Sequence, residues 1–158
     1  MARASTAPGE GTSRLRARGF LLQDLPQVVA LEHAAFPDAP YPRELLLELS
    51  RKCGDLFFVA TVSRRVAGYI VTQRTERGAE VVSLAVDPGQ RNRGVGTLLM
   101  QLTIGRLRDS GVRELTLRVK ESNRAAQLLY ESLGFRRAGR VARYYEDSSA
   151  AIRMKLAL

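Results

Sequence analysis

The chain has 158 residues, a formal net charge of +9 and one cysteine, Cys53. This length suggests a single domain with a buried core, and one cysteine excludes an internal disulfide. No apolar run approaches the roughly 20 residues that span a membrane, and no secretory signal sequence is found. Cys53 and the only histidine, His33, cannot by themselves form a zinc site, so no metal is expected. A catalytic triad would have to use His33, and the chain has no nucleophile elbow.

The basic charge comes from 22 arginines and three lysines. Nucleic-acid binding is one interpretation of such a balance. The arginines are, however, spread over the chain among 16 acidic residues, and no run interleaves basic with aromatic residues, as single-strand binders do. We therefore favour a solvated basic surface, which could still attract an anionic ligand or an RNA-rich assembly.

The chain begins with a segment that has no structural pattern. Residues 1–13 are small and polar and lack apolar periodicity, which predicts a disordered tail. Residues 14–158 are expected to form one domain, with a first strand over residues 14–23. Asp24 is the expected N-cap of a first helix, with Pro26 in its first turn. The apolar face of this helix consists of Val28, Val29, Leu31 and Ala35.

A second helix is predicted to start at Pro42 and to end at residues 53–55. Its core-facing residues are Leu45, Leu46 and Leu49. β-Branched and aromatic residues then predict three strands, over residues 56–62, 66–75 and 80–86. A long amphipathic helix is expected over residues 97–108, and the alternation of residues 114–119 predicts another strand.

The chain closes with a short helix and a hairpin. Ser122 or Asn123 caps the helix, which runs through Leu133, and Gly134 is its C-terminal signal. Two final strands are predicted, over residues 135–146 and 150–158. The resulting order, β-α-α-β-β-β-α-β-α-β-β, indicates an α/β protein with a mixed sheet and helices on its faces.

The central feature of the sequence is the loop 87–96, between the strand 80–86 and the long helix. Gly94 and Gly96 allow another molecule to approach the backbone closely. The start of the helix adds N–H groups without internal partners and a partial positive charge. Together they predict an anion site suited to phosphate. Leu99 stands where a dinucleotide fingerprint needs a third glycine, and the Gly-Lys-Ser/Thr of a Walker loop is missing.

The loop and the element order together resemble those of the GNAT acetyltransferases. Arg91–Gly96 fits the Gln/Arg-x-x-Gly-x-Gly/Ala motif of that family, after a strand that ends in Val-Asp-Pro, and the order matches the GNAT fold across residues 14–158. The resemblance implies that acetyl-CoA is the co-substrate and that its pyrophosphate is held by Arg91, Asn92, Arg93, Gly94, Val95 and Gly96. It also implies that the preceding strand contacts pantetheine or the acetyl group and supplies an oxyanion donor, at Leu84, Ala85 and Val86.

Residues 117–135 resemble the Asn-x-x-Ala-x-x-Leu-Tyr-x-x-Leu-Gly-Phe segment of protein N-terminal acetyltransferases, including the ribosomal-protein-alanine (RimI-like) enzymes. The resemblance implies that Asn123 contacts CoA and that Tyr130 lies beside the thioester sulfur. A tyrosine suits this position chemically, because a phenol with a pKa near 10 could protonate the departing thiolate. Without the resemblance, packing of Tyr130 against Leu129 and Leu133 is the simpler interpretation.

Two aromatic stretches resemble the acceptor-binding elements of the same enzymes. One is a Phe-Pro-containing loop between the first two helices, and the other is a Tyr-Tyr pair near the last hairpin. The resemblance implies that the first residues of a peptide are clamped by Phe36, Pro37, Tyr41, Tyr144 and Tyr145. Because adjacent residues of a strand face opposite sides, at most one of Tyr144 and Tyr145 is expected to line the groove unless a bulge intervenes.

The catalytic base is where the sequence departs from the RimI-like pattern. Arg118 occupies the strand position at which those enzymes carry a glutamate, and an arginine cannot deprotonate an ammonium. Glu80 is the expected substitute, and it could act through water. It lies fourteen residues before Gly94, the spacing at which histone-type GNAT enzymes carry a base glutamate. Alternatively, Arg118 could bind an acidic side chain or a carboxylate of the acceptor.

These features predict a cytoplasmic enzyme that transfers the acetyl group directly to the α-amino group of a protein N-terminus, such as that of a ribosomal protein. An α-amino group with a pKa near 7.8 is about 10% neutral at pH 7, whereas a lysine is below about 0.1% neutral, so a weak base suits the α-amine. Two alternatives stay open: a GNAT enzyme for a small amine, amino acid or lysine side chain, and a non-catalytic CoA-binding regulatory domain. We expect a monomer or homodimer without a membrane or nucleic-acid partner.

Overall fold

The computed structural model describes residues 14–158, so the tail predicted over residues 1–13 lies outside the described residues. The described chain forms seven strands and four α-helices in the predicted order, which confirms the α/β class. The strands are β1 (Leu15–Gly19), β2 (Phe57–Val62), β3 (Arg65–Arg74), β4 (Ala79–Val86), β5 (Glu114–Lys120), β6 (Arg136–Val141) and β7 (Ala151–Ala157). The helices are α1 (Leu25–Ala35), α2 (Arg43–Lys52), α3 (Val95–Asp109) and α4 (Arg124–Ser132). None of the helices described is long and apolar enough to cross a membrane.

The strands form one mixed sheet in the order β1-β2-β3-β4-β5-β7-β6. The pairs β1–β2, β2–β3, β5–β7 and β6–β7 are antiparallel. β4 and β5 are parallel, and within residues 14–158 their register covers only Ala79↔Leu115 and Glu80↔Thr116. The later residues of β4 therefore keep backbone groups that this pairing does not use.

Two compact units make up the described chain. Unit 1 consists of residues 14–71 and Ser83–Leu102. Its helices α1 and α2 bury apolar side chains at Leu25, Val28, Leu31, Leu46 and Leu49. Of the face predicted for α1, Val29 and Ala35 are only half-buried, and a charged residue, Glu32, is buried with the apolar ones. Helix α3 begins two residues earlier than predicted, at Val95.

Unit 2 consists of Thr72–Val82 and Thr103–Leu158. In β5 the odd-numbered residues are buried, at Leu115, Leu117 and Val119, as the alternation predicted. Their neighbours on β7 are buried on the same face, at Ile152, Met154 and Leu156. β6 is exposed along its whole length. The opposite face of β5 and β7 therefore carries the polar side chains of these strands.

The first strand is shorter than predicted, and Asp24, which is the N-cap residue of α1 as predicted, does not bond the helix through its side chain. β1 ends at Gly19 rather than at residue 23, because Leu22–Asp24 forms one turn of 3₁₀ helix. Asp24 is the residue before α1, but its carboxylate does not cap the helix. It accepts hydrogen bonds from the Arg18 guanidinium at 2.7 and 2.9 Å and from the backbone N–H of Leu21 at 2.8 Å. The ion pair with Arg18 of β1 thus keeps the Asp24 carboxylate from accepting the first N–H groups of α1.

The last hairpin is also shorter than predicted. β6 ends at Val141 rather than at residue 146, and residues 142–150 form a loop. Within this loop the N–H groups of Tyr144 and Tyr145 both donate to the carbonyl oxygen of Ser149, at 3.0 and 3.2 Å. These local bonds use the backbone groups that a longer strand would need for its ladder.

Candidate active site

The loop between β4 and α3, in unit 1, has the backbone geometry of an anion site. The Asp87 carboxylate accepts the N–H of Gly89 at 3.0 Å, and Pro88–Gln90 forms one 3₁₀ turn. Asn92 and Gly94 then adopt left-handed conformations, with φ of 64° and 83°. Positive φ at two positions of so short a loop turns the backbone sharply, and turns of this kind can make N–H groups converge into a concavity that binds anions.

The N–H groups of this loop are available to a ligand. Those of residues 91–97 have no backbone acceptor anywhere in residues 14–158, and the first bond of α3 runs from the Leu98 N–H to the Gly94 carbonyl at 2.9 Å. Arg91 and Arg93 are exposed beside them. Convergent N–H groups, a helix start and two guanidinium groups fit a pyrophosphate. The predicted cofactor residues Arg91–Gly96 are thus brought together in one donor-rich loop.

A glycine that the sequence reasoning missed brings α3 close to the sheet within unit 1. A Cβ atom on Gly68 of β3 would lie 2.7 Å from Cγ1 of Val95 and 3.0 Å from the carbonyl oxygen of Ala85. Ala85 itself is 2% exposed, and its β4 neighbours Leu84 and Val86 are half-buried. Gly68 therefore sets the distance between the helix start and the end of β4. The available signal was a glycine inside an apolar strand pattern, which marks close backbone approach.

A buried carboxylate, also missed, lies behind the predicted acceptor loop of unit 1. Glu32 is 1% exposed. Its Oε1 accepts the Tyr69 hydroxyl at 2.5 Å, and its Oε2 accepts the backbone N–H of Tyr41 at 2.8 Å. The Tyr69 hydroxyl also lies 3.1 Å from that of Ser83. Burial, and next the negative charge of Glu32, raise the pKa of Tyr69 far above its ordinary value.

Glu32 thereby ties the chain that follows α1 to β3 and β4. In that chain Phe36 and Pro37 are exposed and Tyr41 is half-buried, so two of the three predicted clamp residues are free to meet an acceptor. The sequence contained a signal for Glu32, since it lies four residues after buried Val28, on the apolar face of α1. A lone charge on an apolar helix face indicates a buried partner.

Tyr130 in unit 2 has the environment of a reactive phenol. Its side chain is 8% exposed and packs against Phe135, with ring centroids 5.8 Å apart. Burial, with a smaller contribution from Tyr145, raises its pKa to about 12. Its hydroxyl makes no hydrogen bond with any other residue of the described chain. The O–H is therefore protonated at neutral pH and available to an outside acceptor.

Asn123 is the N-cap of α4, the helix that carries Tyr130. Its Oδ1 accepts the N–H of Ala126 at 3.1 Å, which decides between the two predicted caps, Ser122 and Asn123. Gly134 follows the helix with φ of 100°, as its predicted C-terminal role requires. Because the side-chain oxygen of Asn123 already accepts this hydrogen bond, its amide N–H₂ is the group that could contact CoA.

Glu80 and Arg118, the predicted base and the residue that replaces the family glutamate, form one ion pair in unit 2. Nη1 of Arg118 lies 2.6 Å from Oε2 of Glu80, and the Gln73 amide lies 3.4 Å from Oε1. The side chain of Arg118 is 38% exposed and that of Glu80 is 19% exposed. The Arg118 guanidinium also lies over the ring of Tyr144, 5.4 Å from its centroid. The structure therefore brings Glu80, Arg118 and Tyr144 together.

The expectation that Tyr144 and Tyr145 face opposite sides of a strand is wrong, because they lie in the loop after β6. Their rings meet edge to face with centroids 4.9 Å apart. Tyr144 covers Arg118, and the Nζ of Lys120 lies 5.5 Å from the Tyr145 centroid. Arg118 and Lys120 are two residues apart on β5 and share a face. Both tyrosines therefore lie over the same face of β5.

Lys120 of β5 is joined to the loop after β6 by an ion pair. Its Nζ lies 2.9 Å from Oδ2 of Asp147, whose other oxygen accepts the N–H and hydroxyl of Ser149. These bonds, led by the one from the Ser149 hydroxyl, hold the pKa of Asp147 well below its ordinary value. No group of three His, Cys, Asp or Glu side chains that could hold a metal occurs among residues 14–158.

Comparisons with known proteins identify the family of this chain. Residues 23–135 match the acetyltransferase (GNAT) family. The chain is 32% identical over 153 residues to an N-alpha-acetyltransferase of Sulfurisphaera tokodaii, covering 88% of this chain and 90% of that protein. Its fold is similar to that of Ard1 from Thermoplasma volcanium, with a TM-score of 0.87 and 30% identity over 91% of this chain and 97% of that one.

A second solved structure leads to the same family. It is the ribosomal-protein-S18-alanine N-acetyltransferase from Escherichia coli, with a TM-score of 0.81 and 31% identity over 91% of this chain and 94% of that one. The family match covers well over half of the chain, and the loop between β4 and α3 lies inside it. The chain therefore belongs to the acetyltransferase (GNAT) family, whose members are N-acetyltransferases that use acetyl-CoA.

Proposed function

We propose that the enzyme acetylates the N-terminal α-amino group of a protein, possible acceptors being ribosomal proteins, and that it does so in the cytoplasm. The observation that carries the proposal is the buried Tyr130, whose O–H has no acceptor in residues 14–158, on the helix that resembles protein N-terminal acetyltransferases. The similarity of the chain to an N-alpha-acetyltransferase and to a ribosomal-protein-alanine N-acetyltransferase supports the same acceptor class.

Acetyl-CoA is the donor in this proposal, and two groups of residues bind it. The N–H groups of the loop Arg91–Gly96 bind its pyrophosphate, with Arg91 and Arg93 adding charge. Backbone groups of β4 on its β5 side, at Leu84, Ala85 and Val86, bind the pantetheine or the acetyl group, since the register of β4 with β5 within residues 14–158 covers only Ala79 and Glu80. The Asn123 amide contributes a further CoA contact.

The reaction is a direct transfer. The neutral α-amine attacks the thioester carbonyl, the C–N bond forms, and the carbonyl oxygen becomes an oxyanion that a β4 N–H stabilises. The C–S bond then breaks and the electron pair leaves on sulfur. The attacking nitrogen loses one proton and the thiolate gains one, so the products are an amide and the CoA thiol.

Tyr130 is suited to donate a hydrogen bond to the departing sulfur rather than its proton. Its pKa of about 12 lies above the roughly 8.5 of an ordinary thiol. Full transfer of the phenolic proton to the thiolate would be uphill by about 5 kcal/mol. The proton that ends on sulfur is therefore the one that the attacking nitrogen must release, and Tyr130 holds the developing negative charge meanwhile.

Glu80 accepts in this proposal the proton that the acceptor's ammonium loses before the attack, directly or through one water, with Arg118 as its positioning residue. One carboxylate oxygen is held by Arg118 at 2.6 Å, and the other has only the long 3.4 Å contact with Gln73. The second oxygen is thus the one available to a proton. The proposed contacts with the first residues of the acceptor are Phe36, Pro37 and Tyr41 in unit 1, and Tyr144 and Tyr145 in unit 2.

Steady-state kinetics with acetyl-CoA and three acceptors test the proposal. The acceptors are a peptide with a free N-terminal alanine, the same peptide with a blocked N-terminus and one added lysine, and a small primary amine. We expect turnover of the first, with mass spectrometry placing the acetyl group on the α-nitrogen. Turnover of the lysine peptide or the small amine alone would refute the acceptor class. Binding of acetyl-CoA without turnover of any acceptor would favour the regulatory alternative.

A further inference from the structure

The open face of the sheet in unit 2 carries five basic side chains on three adjacent strands. We call it the basic face, and it consists of Arg118, Lys120, Arg136, Arg153 and Lys155. Arg118 pairs in register with Arg153, and Lys155 pairs in register with Arg136. Residues directly opposite on neighbouring strands point to the same side of a sheet. The other side of β5 and β7 is the buried one, so these five cations share the solvent side.

Taken alone, the clustering of these cations lowers the stability of the sheet. Like charges directly opposite on neighbouring strands destabilise a sheet, because their Cβ atoms are only about 5 Å apart. The basic face has two such pairs, Arg118 with Arg153 and Arg136 with Lys155. A feature that opposes folding is commonly retained for function, and clustered cations indicate recognition of an anionic partner.

Carboxylates of the chain neutralise three of the five cations. Glu80 pairs with Arg118 at 2.6 Å, Asp147 with Lys120 at 2.9 Å and Glu114 with Lys155 at 3.1 Å. Arg136 and Arg153 are exposed and form no ion pair with any carboxylate of residues 14–158. Two guanidinium groups are therefore available, on β6 and β7, to bind carboxylates from outside.

The basic face is continuous, within unit 2, with the residues proposed to meet the acceptor. Tyr145 is close enough to Tyr130 to raise its pKa, Tyr144 packs on Tyr145, and the Tyr144 ring lies over Arg118. From β5 to β6 the face is two strand spacings wide, about 10 Å. Three extended residues of a peptide cover about that distance.

We propose that the basic face binds acidic side chains of the acceptor protein, from about its third residue onward, through Arg153 and Arg136. The inference rests on the proposed function and names a feature of its acceptors. A short acidic peptide fits better than a nucleic acid, because carboxylates of residues 14–158 already neutralise three of the five cations, and nucleic-acid binding draws on many phosphate contacts. The enzyme thereby prefers acceptors that carry Asp or Glu from about their third residue onward.

Two peptides test the inference. They share their first two residues and differ at positions three to six, which are Asp and Glu in one and Asn and Gln in the other. We expect the wild-type enzyme to show about five- to tenfold lower KM for the acidic peptide at low salt, and a smaller difference at high salt. The double variant Arg136→Gln/Arg153→Gln should lose this difference. Equal KM values for the two peptides in the wild-type enzyme would overturn the inference.

The matched control is Arg137→Gln. Arg137 neighbours Arg136 on β6 but pairs in register with buried Met154, and so belongs to the other side of the sheet. This variant should keep the preference for the acidic peptide, and loss of the preference here too would refute the assignment to the basic face. Arg153→Gln should also melt at or above the wild-type temperature, because it relieves a like-charge pair; a clear loss of stability would contradict that reasoning.

A binding experiment separates this inference from the acceptor class. Fluorescence anisotropy uses the acidic peptide with a blocked N-terminus, which cannot be a substrate. Salt-sensitive binding that is lost in the double variant supports the basic face even if no α-amine is acetylated, whereas equal binding of the neutral peptide overturns it. If a labelled RNA oligonucleotide binds more tightly than the acidic peptide, and the double variant loses that binding too, the partner of the basic face is a nucleic acid rather than an acidic peptide.

Discussion

Replacing Tyr69 with Phe removes one oxygen atom from the interior of unit 1 and leaves an aromatic ring in its place. Tyr69 is fully buried and stacks with Phe57 at 5.6 Å, a contact that Phe preserves. Its hydroxyl donates to the carboxylate of Glu32, a residue that is 1% exposed. The substitution therefore removes a charge-assisted bond with little change in packing.

The expected loss is about 2 kcal/mol in the free energy of unfolding. Hydrogen bonds to charged groups contribute roughly 1.5 to 3 kcal/mol, and a buried carboxylate that loses a donor cannot recover it from solvent. For a chain of this size each kcal/mol lowers Tm by about 2–4 °C. Tyr69→Phe should thus melt about 4–8 °C below the wild-type protein.

Denaturant unfolding measures this loss, with Tyr144→Phe as the matched control. Tyr144 is 45% exposed, so the same chemical change there should shift unfolding by less than about 0.5 kcal/mol. A double-mutant cycle with Glu32→Gln should give a coupling of about 1–2 kcal/mol between the two positions. If Tyr69→Phe unfolds like Tyr144→Phe and the coupling is near zero, the hydrogen bond does not stabilise the fold as argued.

Four further predictions concern the active site. Tyr130→Phe should lower kcat at least tenfold with little change in the KM for acetyl-CoA, because the hydroxyl acts on the leaving sulfur; an unchanged kcat would remove Tyr130 from the mechanism. Since the folded-state pKa of Tyr130 is raised to about 12, its contribution to stability is present below pH 10 and lost as pH rises toward 12, so Tyr130→Phe should flatten alkaline unfolding curves in this window. Gly94→Ala should destabilise the protein by about 1–2 kcal/mol, since φ is 83°, and raise the KM for acetyl-CoA; an unaltered KM would place the pyrophosphate elsewhere. Glu80→Gln should lower kcat most at low pH, where little of the acceptor amine is neutral. A variant kcat equal to the wild-type kcat at every pH would exclude Glu80 as the base.

Local chemistry explains why most of the fold could be predicted from the sequence. Apolar periodicity identified each helix and strand, Asn123 and Gly134 marked the two ends of α4, and Pro26 marked the start of α1. The loop Arg91–Gly96 was also recognisable, because its conformation depends on its own glycines and on the helix that follows. Each of these features is decided by residues close together in the chain.

Local signals failed where a nearby alternative competed with the regular element. The strand predicted through residue 146 ends at Val141, because the Tyr144 and Tyr145 N–H groups bond the Ser149 carbonyl and close a loop instead. Asp24 has the right position for a cap, but Arg18 on β1 takes its carboxylate. In both cases the competing partner lies within a few residues, and only the folded geometry shows which bond forms.

Tertiary structure alone decided the pairings that distinguish this enzyme. Tyr69 is 37 residues from Glu32 in the chain, and Arg118 is 38 residues from Glu80. No local rule connects such residues, because the packing of helix on sheet and the register of distant strands bring them into contact. By itself the sequence determined the order of the elements and the position of the glycine-containing loop between β4 and α3. The fold decided that the predicted base is paired with Arg118, that both tyrosines cover one face of β5, and that the charges of three strands converge there.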